Sequence, residues 1–112
     1  MKNMRRIFLI LTLLLPVTVL VSSASAETKI EATIFSYDGE DFVRTTTTLS
    51  TEGQAATGTK LDRDSSAYKA LVEKRSYTGP ATILGGDYQA NYAPLTGEDG
   101  QLTGALFVGV PK

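Results

Sequence analysis

Polar and apolar positions alternate from Lys29 to Tyr37, with Ile30, Ala32 and Ile34 set against Glu31, Thr33 and Phe35. That period of two, in a stretch rich in β-branched residues, predicts a strand. Asp38-Gly39-Glu40-Asp41 follows as a hairpin turn, and Phe42 to Leu49 returns as a second strand. Its run Thr45-Thr46-Thr47-Thr48 suits a pleated sheet, where β-branched side chains pack well. Ser50 to Lys60 reads as a polar loop. From Asp62 to Arg75 the spacing changes: Ala67, Ala70 and Leu71, flanked by Tyr68 and Val72, make a helical stripe. Asp64 or Ser65 can cap this helix, and Lys74-Arg75 suit its C-terminal end. Three more strands are expected at Ser76–Leu84, Tyr88–Ala93 and Leu102–Val110, joined by turns at Gly85-Gly86-Asp87 and within Pro94–Gly100. The order is β-β-α-β-β-β with short links throughout. It predicts an α+β domain in which one helix covers a five-stranded antiparallel sheet, a PAS-like layout.

The N-terminal 26 residues follow another rule. Lys2, Arg5 and Arg6 precede an apolar run from Ile7 to Val21, and small residues then end in Ala24-Ser25-Ala26. This is the pattern of a cleavable signal peptide. Fifteen residues span about 22 Å as a helix, short of the ~30 Å hydrocarbon core. The rival reading is an uncleaved membrane anchor, since adding Ser22–Ala26 nearly reaches spanning length. Cleavage after Ala26 places a single domain, residues 27–112, in the periplasm or the medium.

Composition narrows the chemistry. Without Lys2, Arg5 and Arg6, eight of the 11 basic residues face all 12 acidic ones, a formal charge of −4. Such a domain is a poor nucleic-acid binder. With no Cys and no His, disulfides, thiolate metal sites, thiol nucleophiles and imidazole-based catalysis are excluded. Neither a metal nor a cofactor is expected, and the chain does not read as an enzyme.

The wording of the chain goes further than its pattern. Ala32-Thr33-Ile34-Phe35 before Asp38-Gly39, then Asp41-Phe42-Val43-Arg44-Thr45-Thr46-Thr47, resembles the opening hairpin of the Cache sensory family in its type 3/type 2 fusion form. The resemblance continues through Gly58-Thr59-Lys60-Leu61-Asp62, Ala67-Tyr68, Tyr77-Thr78-Gly79-Pro80-Ala81 and Leu84-Gly85-Gly86-Asp87-Tyr88. It ends with Tyr92-Ala93-Pro94-Leu95 and Gly104-Ala105-Leu106-Phe107-Val108-Gly109, and so covers nearly all of residues 32–111. It implies the extracytoplasmic sensory part of a bacterial chemoreceptor or sensor kinase. It also implies a small-molecule ligand, commonly an organic acid or amino acid, held between the sheet and its covering loops and helix. Such domains start with a long helix on the sheet. Here only Glu27–Glu31 lie between the cleavage site and the first strand. The expectation is therefore a shortened, stand-alone domain with one sheet face left uncovered.

Arg44 is the one Arg on an expected strand. It either grips a ligand carboxylate through its guanidinium or pairs across the hairpin with Glu31 or another acid. Thr46 and Thr48 share its face by period two and offer hydroxyls; the alternative for both is solvent. Tyr68, Tyr77, Tyr88 and Tyr92 supply apolar walls with polar tips, or ordinary packing. Asp87 reads as a turn residue, and the acids at Asp38-Glu40-Asp41, Asp62-Asp64 and Glu98-Asp99 as solvated turns. The leading reading is non-covalent binding of a small, anionic metabolite, linked to chemotaxis or signal transduction. The alternatives are an interaction module that docks on a membrane receptor or homodimerises, and a truncated receptor remnant.

Overall fold

A computed structural model describes residues 29–112, so the signal segment expected at residues 1–26 lies outside the described residues. The main sheet comprises β1 (Glu31–Tyr37), β2 (Phe42–Thr47), β5 (Tyr77–Ile83), β6 (Gly86–Thr96) and β7 (Leu102–Pro111). It is antiparallel in the order β2-β1-β7-β6-β5. Hairpins account for three of the four pairings, and β7 closes the sheet by entering beside β1, opposite Glu31–Ser36. One helix, α1 (Ser66–Val72), lies over one face. The α+β class and five-stranded sheet expected from the pattern are what the chain forms.

That face carries the core. Phe35, Phe42, Ala90, Tyr92, Ala105 and Phe107 project from four strands against Ala67 and Leu71 of the helix, and Ile83 adds the fifth strand. Gly104 sits where a Cβ would come within 2.2 Å of the Phe35 carbonyl oxygen. No side chain fits there, so β7 can lie close against β1 only with Gly at this position.

Local departures have identifiable causes. The helix is half the expected length because Asp62 and Asp64 build a turn: the Asp64 amide donates to Asp62 Oδ1, and the Ser65 hydroxyl donates to the Asp62 carbonyl. Ser65 then caps the helix, accepting from the Tyr68 amide. β6 runs on to Thr96, through Pro94, where the residue pattern predicts a turn. Beyond Tyr92 it no longer pairs with β5, so the missing N–H of Pro94 breaks no ladder bond on that side. The β5–β6 reversal uses Leu84 and Gly85, both at positive φ, as a two-residue hairpin loop requires.

The segment expected as a polar loop is more ordered. Ser50–Thr51 (β3) and Gln54–Ala55 (β4) form a small hairpin. Residues 58–61 then pair with the outer edge of β2: the Arg44 amide donates to the Thr59 carbonyl, the Gly58 amide to the Arg44 carbonyl, and the Leu61 amide to the Phe42 carbonyl. This strap covers an otherwise bare sheet edge and fixes the surroundings of Arg44.

Candidate functional site

The β1–β2 ladder contains a bulge. Phe35 pairs with Arg44 but Ile34 pairs with Thr46, leaving Thr45 as an extra residue. The extra residue reverses the alternation. Arg44 stays on the helix side with Phe42, whereas Thr46 moves to the opposite face and is exposed. Thr48 is exposed as well, its hydroxyl accepting from the Ala32 amide at 2.8 Å. The shared face expected for Arg44, Thr46 and Thr48 therefore does not exist. It is Thr47 that returns to the helix side, bonded to the Thr33 hydroxyl at 2.7 Å.

Arg44 itself is 3 % exposed. Of its guanidinium nitrogens only Nη1 is hydrogen-bonded among the described residues, donating to Thr59 Oγ1 at 3.0 Å and to the Lys60 carbonyl at 3.2 Å. Nε is buried without a partner. No salt bridge among the described residues includes Arg44, so pairing with Glu31 is not realised. The guanidinium carbon stands 5.3 Å from the centre of the Phe35 ring, which partly offsets its burial. Burial lowers the Arg44 pKa, with nearby Tyr92 acting in the other direction. An Arg this far above neutrality stays charged regardless.

Arg44 lines a cavity of about 480 Å³ between the sheet, the strap and the start of the helix. The other walls come from Lys60, Leu61, Asp62 and Asp64 of the connection, from Ser65 to Ala67, from Tyr77 and Pro80–Leu84, and from Tyr92. That volume suits a small metabolite. Tyr92 is 1 % exposed and its pKa is pushed up to about 12, mainly by burial. Tyr77, paired opposite it, turns its hydroxyl onto the Pro80 carbonyl at 2.6 Å.

The other two tyrosines lie elsewhere. Tyr68 packs edge-on against Phe42 at 5.8 Å and donates to the Glu40 carbonyl at 2.5 Å, tying the helix to the β1–β2 turn. Tyr88 shares a face with Tyr92 but packs edge-on against Phe107 at the far end of β6 and lines a separate cavity of about 140 Å³. Of the seven residues singled out, the fold gathers Arg44, Tyr77 and Tyr92 around one cavity. Sequence reasoning missed Thr59, Lys60, Leu61 and Leu84. The nearest signal for the first three is the stretch Gly58-Thr59-Lys60-Leu61-Asp62, and for Leu84 the stretch Leu84-Gly85-Gly86-Asp87-Tyr88; both take part in the family resemblance but have the composition of loops.

The acidic turn at the end of β1 also differs from expectation. Asp38 and Glu40 are exposed, but Asp41 is 6 % exposed. Arg63 grips it with two parallel bonds of 2.8 Å, and Lys60 Nζ stands 3.4 Å away. The Arg63 bonds above all hold its carboxyl down to about 2. Among the described residues no group of three or more carboxylates is arranged to hold a metal ion, and no helix is long and apolar enough to cross a membrane.

No curated protein and no solved structure matches the chain. The model of one family, the Cache 3/Cache 2 fusion domain, matches residues 17–112. With most of its length so matched, and with the sheet and helix it forms, this chain belongs to the Cache 3/Cache 2 fusion domain family, which groups sensory domains that bind small molecules and typically stand outside the cytoplasm.

Proposed function

We propose that this protein is an exported sensory domain that binds a small carboxylate metabolite non-covalently and feeds that signal into chemotaxis or another signal-transduction route. One observation carries the reading: Arg44 is a buried cation that lines a metabolite-sized cavity and, among the described residues, has no carboxylate partner. Desolvating a guanidinium costs several kcal/mol unless an anion or enough acceptors compensate. Two hydrogen bonds from Nη1 and one aromatic face leave that compensation incomplete. A ligand carboxylate completes it.

The remaining charges favour an amino acid within this class. Lys60 also lines the cavity but its ammonium is engaged by Asp41, whereas Asp62 and Asp64 are two acidic residues of the wall with no salt bridge among the described residues. A ligand with a second carboxylate meets repulsion there, and one with an ammonium group meets attraction. Tyr92 lines the same cavity and its hydroxyl has no hydrogen bond among the described residues, which supports a role in orienting the bound group. Binding with no covalent step fits a chain that has neither a Cys nucleophile nor a His base. The basic, apolar and Ala24-Ser25-Ala26 sequence at the N-terminus supports export.

A thermal-shift screen of α-amino acids, monocarboxylates and dicarboxylates tests the reading. Amino acids are expected to raise the melting temperature most and dicarboxylates least. A screen in which no carboxylate stabilises the protein overturns it.

A further inference from the structure

The sheet has a second face, which nothing among the described residues covers. The register sets Ala32 opposite Val108 and Ile34 opposite Leu106, so β1 and β7 form an apolar stripe two strands wide. Ile34, Leu106, Val108 and Val110 are 47, 40, 50 and 38 % exposed, and Ile30 extends the stripe at 60 %. β1 thus turns its aliphatic side outward and keeps Thr33 and Phe35 for the core.

What surrounds the stripe is as informative as the stripe. Thr46 and Thr48 border it on one side, and Asn91 and Gln89, opposite Val108 and Val110, on the other. Within the five strands this face bears a single charged side chain, Asp87, at a corner and bonded to Thr82. Solvated sheet faces and edges ordinarily carry charges that keep copies apart. An apolar centre depleted of charge, ringed by uncharged polar groups, is instead the anatomy of a protein interface.

The same features identify the partner. A surface with no charge pattern cannot select a partner by charge; it selects one by being apolar in the middle and uncharged around it. This face meets that description itself. Of the acidic residues among the described residues, Asp87 alone stands on this face; Glu31 lies on the helix side of β1, and the others lie in turns, in the helix connection and at the helix end, so they do not oppose self-pairing. Its size also fits. Five strands at about 4.8 Å spacing, each about seven residues long at about 3.3 Å per residue, give a face of about 24 by 23 Å, or about 1,100 Å² for two copies. Two such faces packed together approach the lower bound of specific interfaces, about 1,200 Å² in total.

We propose that the open face is a homodimer interface, in which a second copy packs sheet on sheet through an isologous contact centred on Ile34 and Val108. The proposal is independent of the Arg44 cavity, which lies on the other face.

The test uses the full chain, recovered after expression from the extracytoplasmic fraction, with its N-terminus read by intact mass. Light scattering after size exclusion is expected to give the dimer mass at micromolar concentration. Val108→Lys is expected to raise the dimer dissociation constant at least ~30-fold, since the side chain sits at the interface centre. The chain has no Cys, so a single Val108→Cys is expected to form a disulfide-linked dimer on mild oxidation, while Thr57→Cys, exposed just before the strap, does not. The cross-link decides the matter even if Val108→Lys fails to fold. A monomer at every concentration overturns the proposal, as does a dimer indifferent to both Val108 variants. A monomer that retains residues 7–21 and protects Val108→Cys from oxidation also overturns it, assigning the face to the chain's own apolar segment.

Discussion

Two charged residues stand three positions apart at the start of β2, both nearly inaccessible, and the fold treats them in opposite ways. Asp41 is gripped by two bonds from Arg63 and approached by Lys60. Among the described residues Arg44 has two hydrogen bonds from one nitrogen, an unpartnered Nε and no carboxylate. Asp41 closes a contact: it ties the β1–β2 turn to the connection that leads into the helix, as Tyr68 does from the helix itself. Arg44 leaves a contact open, and it does so beside a cavity. A buried charge whose partners all come from the fold contributes to structure. One whose partner is missing points to something the fold does not contain.

Substitution should separate the two. Asp41→Asn keeps the shape and removes the charge, leaving Arg63 without its anion. Its melting temperature, read by circular dichroism, is expected to fall further than that of Arg44→Met or Thr59→Val. Arg44→Met should leave the melting temperature unchanged or raise it, because an apolar side chain of similar length carries no desolvation cost. A fall as large as that of Asp41→Asn would erase the distinction.

Acid should act on Asp41 alone of the two. The folded pKa of Asp41, about 2, lies below the ordinary value of 3.8. Its contribution is therefore complete above pH ~4 and is lost as the pH falls from there through the folded value. Wild-type stability should drop across that window, and Asp41→Asn should flatten the drop. At the alkaline end the sign reverses for Tyr92, raised from 10.0 to about 12: stability holds below pH 10 and is lost as the pH rises through the folded pKa. Smaller still is the effect expected of Thr59→Val. It removes one hydrogen bond from Arg44 and one to the Ala56 carbonyl, so ligand affinity should fall several-fold with about 1 kcal/mol of stability.

Much of this contrast was legible in the sequence, and the parts that were not have physical reasons. Alternation and turn residues located the five main strands, and Ser65 was among the expected caps. Arg44 stood out as a cation within an apolar and hydroxyl-rich strand. Period two then misplaced its neighbours, because a bulge adds one residue without any Gly or Pro to mark it. Among four consecutive threonines no position looks different from the next, so only the pairing with β1 shows that Thr45 is the extra one. Asp41 looked like one more acid of a solvated turn. Its burial depends on Arg63, 22 residues away, and no local rule joins the two. The site's other wall was hidden for a related reason. Thr59 and Lys60 reach Arg44 only because the strap pairs with the edge of β2, a long-range choice that polar loop composition conceals.

The central claim is that Arg44 is kept buried and incompletely satisfied for the sake of a ligand carboxylate. Calorimetric titration of α-amino acids into wild type and Arg44→Met tests it most directly. Measurable binding to wild type is expected, with at least ~100-fold weaker binding to a folded Arg44→Met of equal or higher melting temperature, as when a buried charge loses its partner. Equal affinity for wild type and folded variant would contradict it.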